Sequence, residues 1–203
     1  MISASEALEQ LREGNRRFVS GGPLGHELAS ETRRHEWIEN QKPFAIILGC
    51  SDSRVPAEIV FDQGIGDLFV IRVAGNIVAP SQVGSVEFCA EGFGTRLVVV
   101  LGHTQCGAIQ ATIDELRRPS QDRSRNLRSI VDRIRPAVEP LLADGGDLQT
   151  LSRRATRANI RMAADHLRHG SEILEDLIHK RGLVVVGAEY AIETGTVDFF
   201  DVP

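Results

Sequence analysis

The chain has 203 residues, 42% of them apolar and 25% charged, with a formal net charge of −5. That composition suits one folded globular domain burying roughly 70% of its unfolded surface, and the acidic balance speaks against a dedicated nucleic-acid-binding protein. Eleven arginines against five acids between Arg117 and Arg161 give that stretch a local +6; such arginines are expected on solvated helix faces or paired with acids elsewhere in the fold.

The first segment, "MISASEALEQLREGNRRF", reads as a helix capped by Ser3 or Ser5. Ala7, Leu8, Leu11, Asn15 and Phe18 recur at 3–4 spacing before "SGG" ends it. It lacks a basic start followed by an apolar stretch, so no export signal is expected. A second amphipathic piece near 30–40 carries Trp37 and Ile38 and is expected to pack on a neighbour. The period then changes. "FAIIL" (44–48), "DLFVIRV" (67–73), "LVVVLG" (97–102) and "GLVVVGAEY" (182–190) are short and nearly continuous in apolar character, as parallel strands covered on both faces are. Helix patterns separate them: "PAEIVFDQ", "SQVGSVEFCAEGF" and "CGAIQATIDELRR". From about 122 to 181 the pattern is almost all helical, broken at Pro136, Pro140 and "DGGD" (144–147). This alternation predicts an α/β fold: a mostly parallel central sheet flanked by helices, with N-terminal helices and a helical segment before the last strand. Residues 1–203 are expected to form one domain with an N-terminal helical arm over about 1–40. No apolar run nears the ~18 residues of a membrane span. The three cysteines, an odd number, argue against a disulfide framework and for reduced thiols in the cytoplasm.

Two polar motifs follow predicted strands. "GCSDSRVP" (49–56) follows the first and "HTQC" (103–106) follows the third. Ligands of open α/β sheets gather at the carboxyl ends of strands, so neighbouring strands would bring Cys50, His103 and Cys106 together. His103 and Cys106, three apart at a helix start, can reach one point. Two thiolates and an imidazole suit Zn²⁺, and three protein ligands leave a fourth position for water, as catalytic zinc requires. Each residue alone also has a plainer reading. Buried cysteines mostly behave as small core hydrophobes, which is the reading adopted for Cys89. Asp52 and Arg54 alone would be a local ion pair. His26, His35, His166, His169 and His179 lie on polar or helical surfaces and are not assigned to a metal.

"CSDSRVPAE", "GDLFVIRVAGN" and "GHTQCGA", in this order and spacing, closely resemble the β-class carbonic anhydrases. The resemblance runs from "EGNRRFVSG" near the N-terminus to "VVGAEYAIETGTVDFF" near the end. It implies one Zn²⁺ per chain held by Cys50, His103 and Cys106, and reversible hydration of CO₂ to bicarbonate and a proton by zinc-bound hydroxide. Asp52 and Arg54 match the family's dyad: Arg54 holds Asp52, which accepts a hydrogen bond from the zinc-bound water, or in a closed state swings onto the metal as fourth ligand. The family assembles as homodimers or homotetramers with active sites at the dimer interface. By position, Gln41 matches a substrate-contacting residue that crosses the dimer, Phe69 and Ala74 would line the apolar side of the pocket, and Phe88 stands where the plant-like subgroup has Tyr. Gly107 would offer its backbone N–H to a developing oxyanion.

The bicarbonate-regulated subgroup has a Trp where this chain has Ile47, although Gly49, Arg72 and Tyr190 match its inhibitory site. Two other readings stand beside the hydratase: a CS₂ or COS hydrolase on the same scaffold, and a non-catalytic zinc-binding protein. The paired Asp52 and Arg54 argue against the second.

Overall fold

The four apolar runs form β1 (Ala45–Gly49), β2 (Leu68–Arg72), β3 (Leu97–His103) and β4 (Val184–Tyr190), all parallel to their neighbours. They are seen in a computed structural model that describes residues 2–22, 26–119, 124–144 and 147–202. A fifth strand, β5 (Val197–Asp201), joins antiparallel to β4, giving the order β2-β1-β3-β4-β5. The sequence reading ended the sheet at residue 190 and missed β5. Asp198 and Asp201 flank Phe199 and Phe200 and no residue is fully buried, so it shows no continuous apolar run. The turn that returns the chain needs Gly195 at φ +77°.

Both faces of the central strands β1, β3 and β4 are covered, which is why they read as unbroken apolar runs. On one face Ile46, Leu48, Val98, Val100 and Val185 pack with residues of α4 (Pro80–Gly92), α7 (Leu148–His169) and α8 (Glu172–Arg181). On the other, Ile47, Val99, Leu101 and Val186 meet Ala4, Ala7 and Leu11 of α1 (Ala4–Val19) and Val60 of α3 (Ala57–Val60). Ser3, rather than Ser5, caps α1: its hydroxyl accepts from the Glu6 N–H while the Glu6 carboxylate accepts from the Ser3 N–H. The Asn15 side chain donates to the carbonyls of Val60 and Gly195 and accepts from the Val197 N–H. One buried amide thus ties α1 to α3 and β5.

The second N-terminal piece is α2 (Glu31–Glu36), which buries no residue of its own. Trp37, just after it, lies over Gly66, where a Cβ would come within 2.6 Å of the indole nitrogen. The long helical stretch resolves into α6 (Arg125–Val138), a 3₁₀ turn at Glu139–Asp144 that contains Pro140, then α7 and α8. Pro136 does not break α6 but lies in its last turn. The bond it forfeits is to the Asp132 carbonyl, on the exposed side of the helix. Gly145 and Gly146 of the "DGGD" stretch lie outside the described residues, as does Arg123. The arginines behave as expected: Arg117, Arg118, Arg125, Arg128 and Arg133 are exposed, and Arg157 pairs with Glu189 and Asp198. Among the described residues no helix is long and apolar enough to cross a membrane.

A third apolar cluster positions the site. Ile109 and Ile113 of α5 (Gly107–Arg117), Ile134 and Val138 of α6, and Leu151 and Ala155 of α7 pack together. The same cluster includes Cys50 and Cys106. The strand-end motifs therefore rest on a dry bed.

Candidate metal centre

β1 and β3 are adjacent, with Gly49 opposite Leu101, so Cys50 one residue past β1 comes beside His103 at the end of β3. Cys106 is the N-cap of α5. The sequence reading put His103 and Cys106 together at a helix start; instead His103 ends a strand. A tight turn, with Gln105 at φ +55°, swings Cys106 back toward it. Gly102 is required here, because a Cβ would lie 2.6 Å from Ile160. A Cβ on Gly107 would meet nothing within 4 Å, so packing within the chain does not demand that glycine.

The ligand atoms of Cys50, His103 and Cys106 all lie within 4.8 Å of one another. The three residues are 5%, 0% and 2% exposed. His103 Nδ1 is 2.8 Å from the Thr104 carbonyl oxygen, so Nδ1 carries the proton and Nε2 presents its lone pair. That Nε2 is buried without a hydrogen-bond partner. An orphaned buried imidazole nitrogen beside two thiols fits a metal ligand and is costly otherwise. The thiols bias each other. Hydrogen bonding from Cys106 pulls the Cys50 thiol well below its ordinary pKa, against the effect of burial. The Cys50 sulfur and burial together push Cys106 up. Burial alone would lower His103, but the neighbouring Cys50 sulfur outweighs it and the net direction is upward. Two thiols and an unpartnered imidazole nitrogen gathered in a dry place form a donor set that could hold a cation. Among the described residues no other group of His, Cys, Asp and Glu gathers in this way. The side chain of His26 lies outside the described residues.

Asp52 and Arg54 flank the donors. Asp52 Oδ1 accepts from the Arg54 backbone N–H at 3.0 Å and from Arg54 Nε at 2.9 Å, and Oδ2 accepts from Arg54 Nη2 at 2.8 Å. The two-residue spacing thus makes an Asx turn and a bidentate pair at once. The Arg54 guanidinium holds the Asp52 carboxyl far below the usual carboxylate range. Asp52 Oδ2 stands 3.8 Å from His103 Nε2, so an ionised carboxylate held by arginine borders the donor cluster.

Several residues support the donors in ways the sequence does not signal, Arg72 among them, which the resemblance matched to a bicarbonate site instead. The Gly75 N–H points at Cys50 Sγ, 3.3 Å away, and the Gly75 carbonyl accepts from Asn159 Nδ2 at 2.9 Å. Arg72 donates to the carbonyls of Cys50 and Asp52, at 3.1 and 2.6 Å. Glu193, in the β4–β5 turn, accepts from Thr104 Oγ1 at 2.8 Å and Gln105 Nε2 at 2.7 Å. Arg54 Nη2 reaches the Gln105 carbonyl at 3.3 Å, joining the two loops. A signal for Asn159 did exist: a polar residue in the otherwise apolar Leu151–Ala155–Ala163–Leu167 stripe of α7.

Of the substrate positions read from the sequence, Ala74 and Gly107 lie at the donors: Ala74 precedes Gly75, and Gly107 follows Cys106. An open cavity of about 900 Å³ is lined by Cys106, Gly107, Gln110, Arg153 and Glu193. Phe69 and Phe88 are elsewhere. Phe69 pairs with Ile46, four residues before Cys50 and so about 13 Å along the strand. Its ring lies 6.3 Å from that of Phe88, which is 60% exposed. Gln41 is exposed in the segment before β1. Gly49 and Arg72 are register partners, whereas Tyr190 is buried opposite His103 on the far side of β3. Strand alternation puts all three on the face shared with α1, and Ile47 is buried on that same face.

The carbonic anhydrase family model matches residues 45–197. Carbonic anhydrase 2 of Mycobacterium tuberculosis is 36% identical over 189 residues, covering 93% of this chain and 89% of that protein. A carbonic anhydrase of Mycolicibacterium smegmatis is 43% identical over 132 residues, covering 65% of this chain and 63% of that protein. In fold, the chain is similar to a β-carbonic anhydrase of Aspergillus fumigatus, with a TM-score of 0.74, 24% identity, and 84% of this chain and 83% of that one covered. It is also similar to a tetrameric β-carbonic anhydrase of Sordaria macrospora, with a TM-score of 0.72, 23% identity and 82% and 85% covered. The strand-end motifs, the sheet order and these likenesses agree: the chain belongs to the carbonic anhydrase family, carbonate dehydratases whose general reaction is the hydration of CO₂.

Proposed function

We propose that this chain hydrates CO₂ reversibly to bicarbonate and a proton at one Zn²⁺ held by Cys50, His103 and Cys106. The observation that carries the reading is an ionised Asp52, gripped by Arg54, standing 3.8 Å from the orphaned imidazole nitrogen of the donor cluster. A purely structural metal has no use for such a neighbour. When bound, zinc supplies Lewis-acid activation of water near neutral pH. The chain's own residues do the rest. Arg54 keeps Asp52 ionised and turned outward, in the open arrangement. Asp52 Oδ2 then acts only as an acceptor and orients the reacting water by taking a hydrogen bond from it. Oriented this way, a lone pair faces CO₂. The Gly107 N–H, at the first position of α5, is the donor proposed for the substrate oxygen as charge develops.

Ala74, next to Gly75 beside the donors, is the same-chain residue proposed for the apolar side of the pocket. Phe69, Phe88 and Gln41 stand apart from the donors, so their proposed role is to complete the site of a second copy, in a homodimer or homotetramer with active sites at the dimer interface. Gly49, Arg72 and Tyr190 are retained as a proposed bicarbonate site. The free thiols suit the cytoplasm. Stopped-flow CO₂ hydration at pH 7 and 8.5, on protein containing one zinc per chain, tests the assignment. No rate above buffer at either pH would sink it. Turnover of CS₂ or COS without CO₂ hydration would select the sibling hydrolase.

A further inference from the structure

We propose that Asn159, on α7, is a positioning residue for the Cys50 thiolate and acts through the backbone of Gly75. The inference rests on Cys50 being a metal ligand. After β2 the chain turns through Ala74–Asn76 with two successive left-handed residues, Gly75 at φ +71° and Asn76 at φ +42°. A residue other than glycine in that region is strained and must be held there by its surroundings. The result of the turn is that Gly75 presents its N–H to Cys50 Sγ at 3.3 Å.

Two things hold Gly75 in that orientation. Where its Cβ would be, Ile134 Cδ1 and Ala108 Cβ already stand at 2.7 and 2.9 Å, so the peptide is wedged from one side. On the other, Asn159 Nδ2 donates to the Gly75 carbonyl at 2.9 Å. Asn159 is 1% exposed on the apolar stripe of α7, between Ala155 and Ala163. Its Oδ1 is buried with no partner. An amide that uses its donor and leaves its acceptor unpaired is a poor choice for packing, since a buried unpaired acceptor is unfavourable. The donor is what the position requires. By fixing the Gly75 peptide, it fixes the N–H that draws charge from the ligating sulfur. Outer groups of this kind orient metal ligands and tune them.

The test uses the zinc-loaded and cobalt-substituted chain. Asn159→Ala is expected to raise the zinc dissociation constant, measured by competition with a chelator, by about 10-fold or more. In the Co²⁺ form the thiolate-to-metal charge-transfer band is expected to move to longer wavelength, because a sulfur that loses its N–H donor is more electron-rich. Asn159→Thr, of nearly the same volume and able to bond its hydroxyl within the helix, carries the same expectations if the alanine variant does not fold. Thr95→Val is the matched control: it deletes a buried 2.7 Å hydrogen bond to the Pro43 carbonyl at the opposite end of the sheet. It is expected to leave affinity within about twofold and the band unmoved. Wild-type affinity and an unmoved band in the Asn159 variants overturn the inference, as does an equal loss in Thr95→Val. Failure of the wild-type chain to bind zinc overturns the metal assignment beneath it, which is a different result.

Discussion

Cys50 and Cys89 are both buried, 5% and 0% exposed, yet their surroundings drive them in opposite directions. Cys89 lies on α4 near the amino-terminal end of the sheet. Its thiol hydrogen-bonds Thr95 Oγ1 at 3.5 Å, itself committed to the Pro43 carbonyl. Burial pushes the Cys89 thiol up to about 11. Cys50 lies at the carboxyl end of the sheet, where Cys106, His103 and the Gly75 N–H converge on it and pull its thiol down. Depth is the same; convergence differs. A buried cysteine is fitted to ligate when polar groups from three segments are aimed at one point, while a cysteine facing a single committed hydroxyl is fitted to be a small core residue.

The sharpest way to break this contrast is to exchange the roles. Cys50→Ala and Cys106→Ala are expected to bring metal content from one per chain to near zero, with CO₂ hydration at the buffer rate. Cys89→Ala is expected to keep full metal and activity. It should lose about 1 kcal/mol from the vacated volume, seen as a melting temperature lower by about 2–4 °C. Metal loss in Cys89→Ala would erase the distinction. One step out from the donors, Asp52→Asn and Arg54→Ala are expected to retain metal while turnover falls about 100-fold, the scale of a lost proton-handling group. Wild-type turnover in either variant would remove that residue from the mechanism.

Metal removal sharpens the same comparison by reactivity. The thiolate is the reactive form. With metal bound, a small alkylating reagent at pH 7.5 is expected to label none of the three cysteines quickly. After chelation Cys50 should react first, because its thiol is the one held low. Cys89 should react only when the chain is unfolded, since near neutral pH burial keeps it protonated. Peptide mapping of the labelled sites reads the order directly.

Much of this was legible in the sequence, for physical reasons. Strands buried on both faces must be continuously apolar, so β1, β3 and β4 stood out. β2 kept an apolar run although it is a half-buried edge strand. Polar motifs just past the ends of β1 and β3 marked the candidate donors. β5 escaped because two acids, Asp198 and Asp201, interrupt its short apolar run. Pro136 misled because a proline in a last turn on the solvent side costs a helix little. The supports of the site escaped for a different reason. Gly75, Arg72 and Glu193 act by backbone groups or on backbone groups, and which carbonyl an arginine reaches is fixed only once β1 and β2 are in register. Phe69 and Phe88 carry another lesson: a residue matched by position to a family pocket can stand apart from the donors of its own chain.

The smallest expected effect tests how far the convergence extends. Glu193 is exposed, yet it grips Thr104 and Gln105, the turn between His103 and Cys106. Hydrogen bonding from Gln105 holds its carboxyl below the ordinary value of 4.5. A carboxylate with a lowered folded pKa contributes stability that is fully present above its unfolded pKa and is lost as pH falls through the folded one. The contribution is therefore constant from pH 6 to 8 and is lost as pH falls below 4.5 through the lowered folded value. Solvent screening limits it to below about 1 kcal/mol. Glu193→Ala should show that deficit at neutral pH and converge on the wild type in acid, with metal content unchanged. The thermal midpoint measured on both proteins across that range settles it. A deficit of constant size down to pH 3 would mean that Glu193 acts by packing, and that the polar convergence around Cys50 ends at the Gln105 carbonyl.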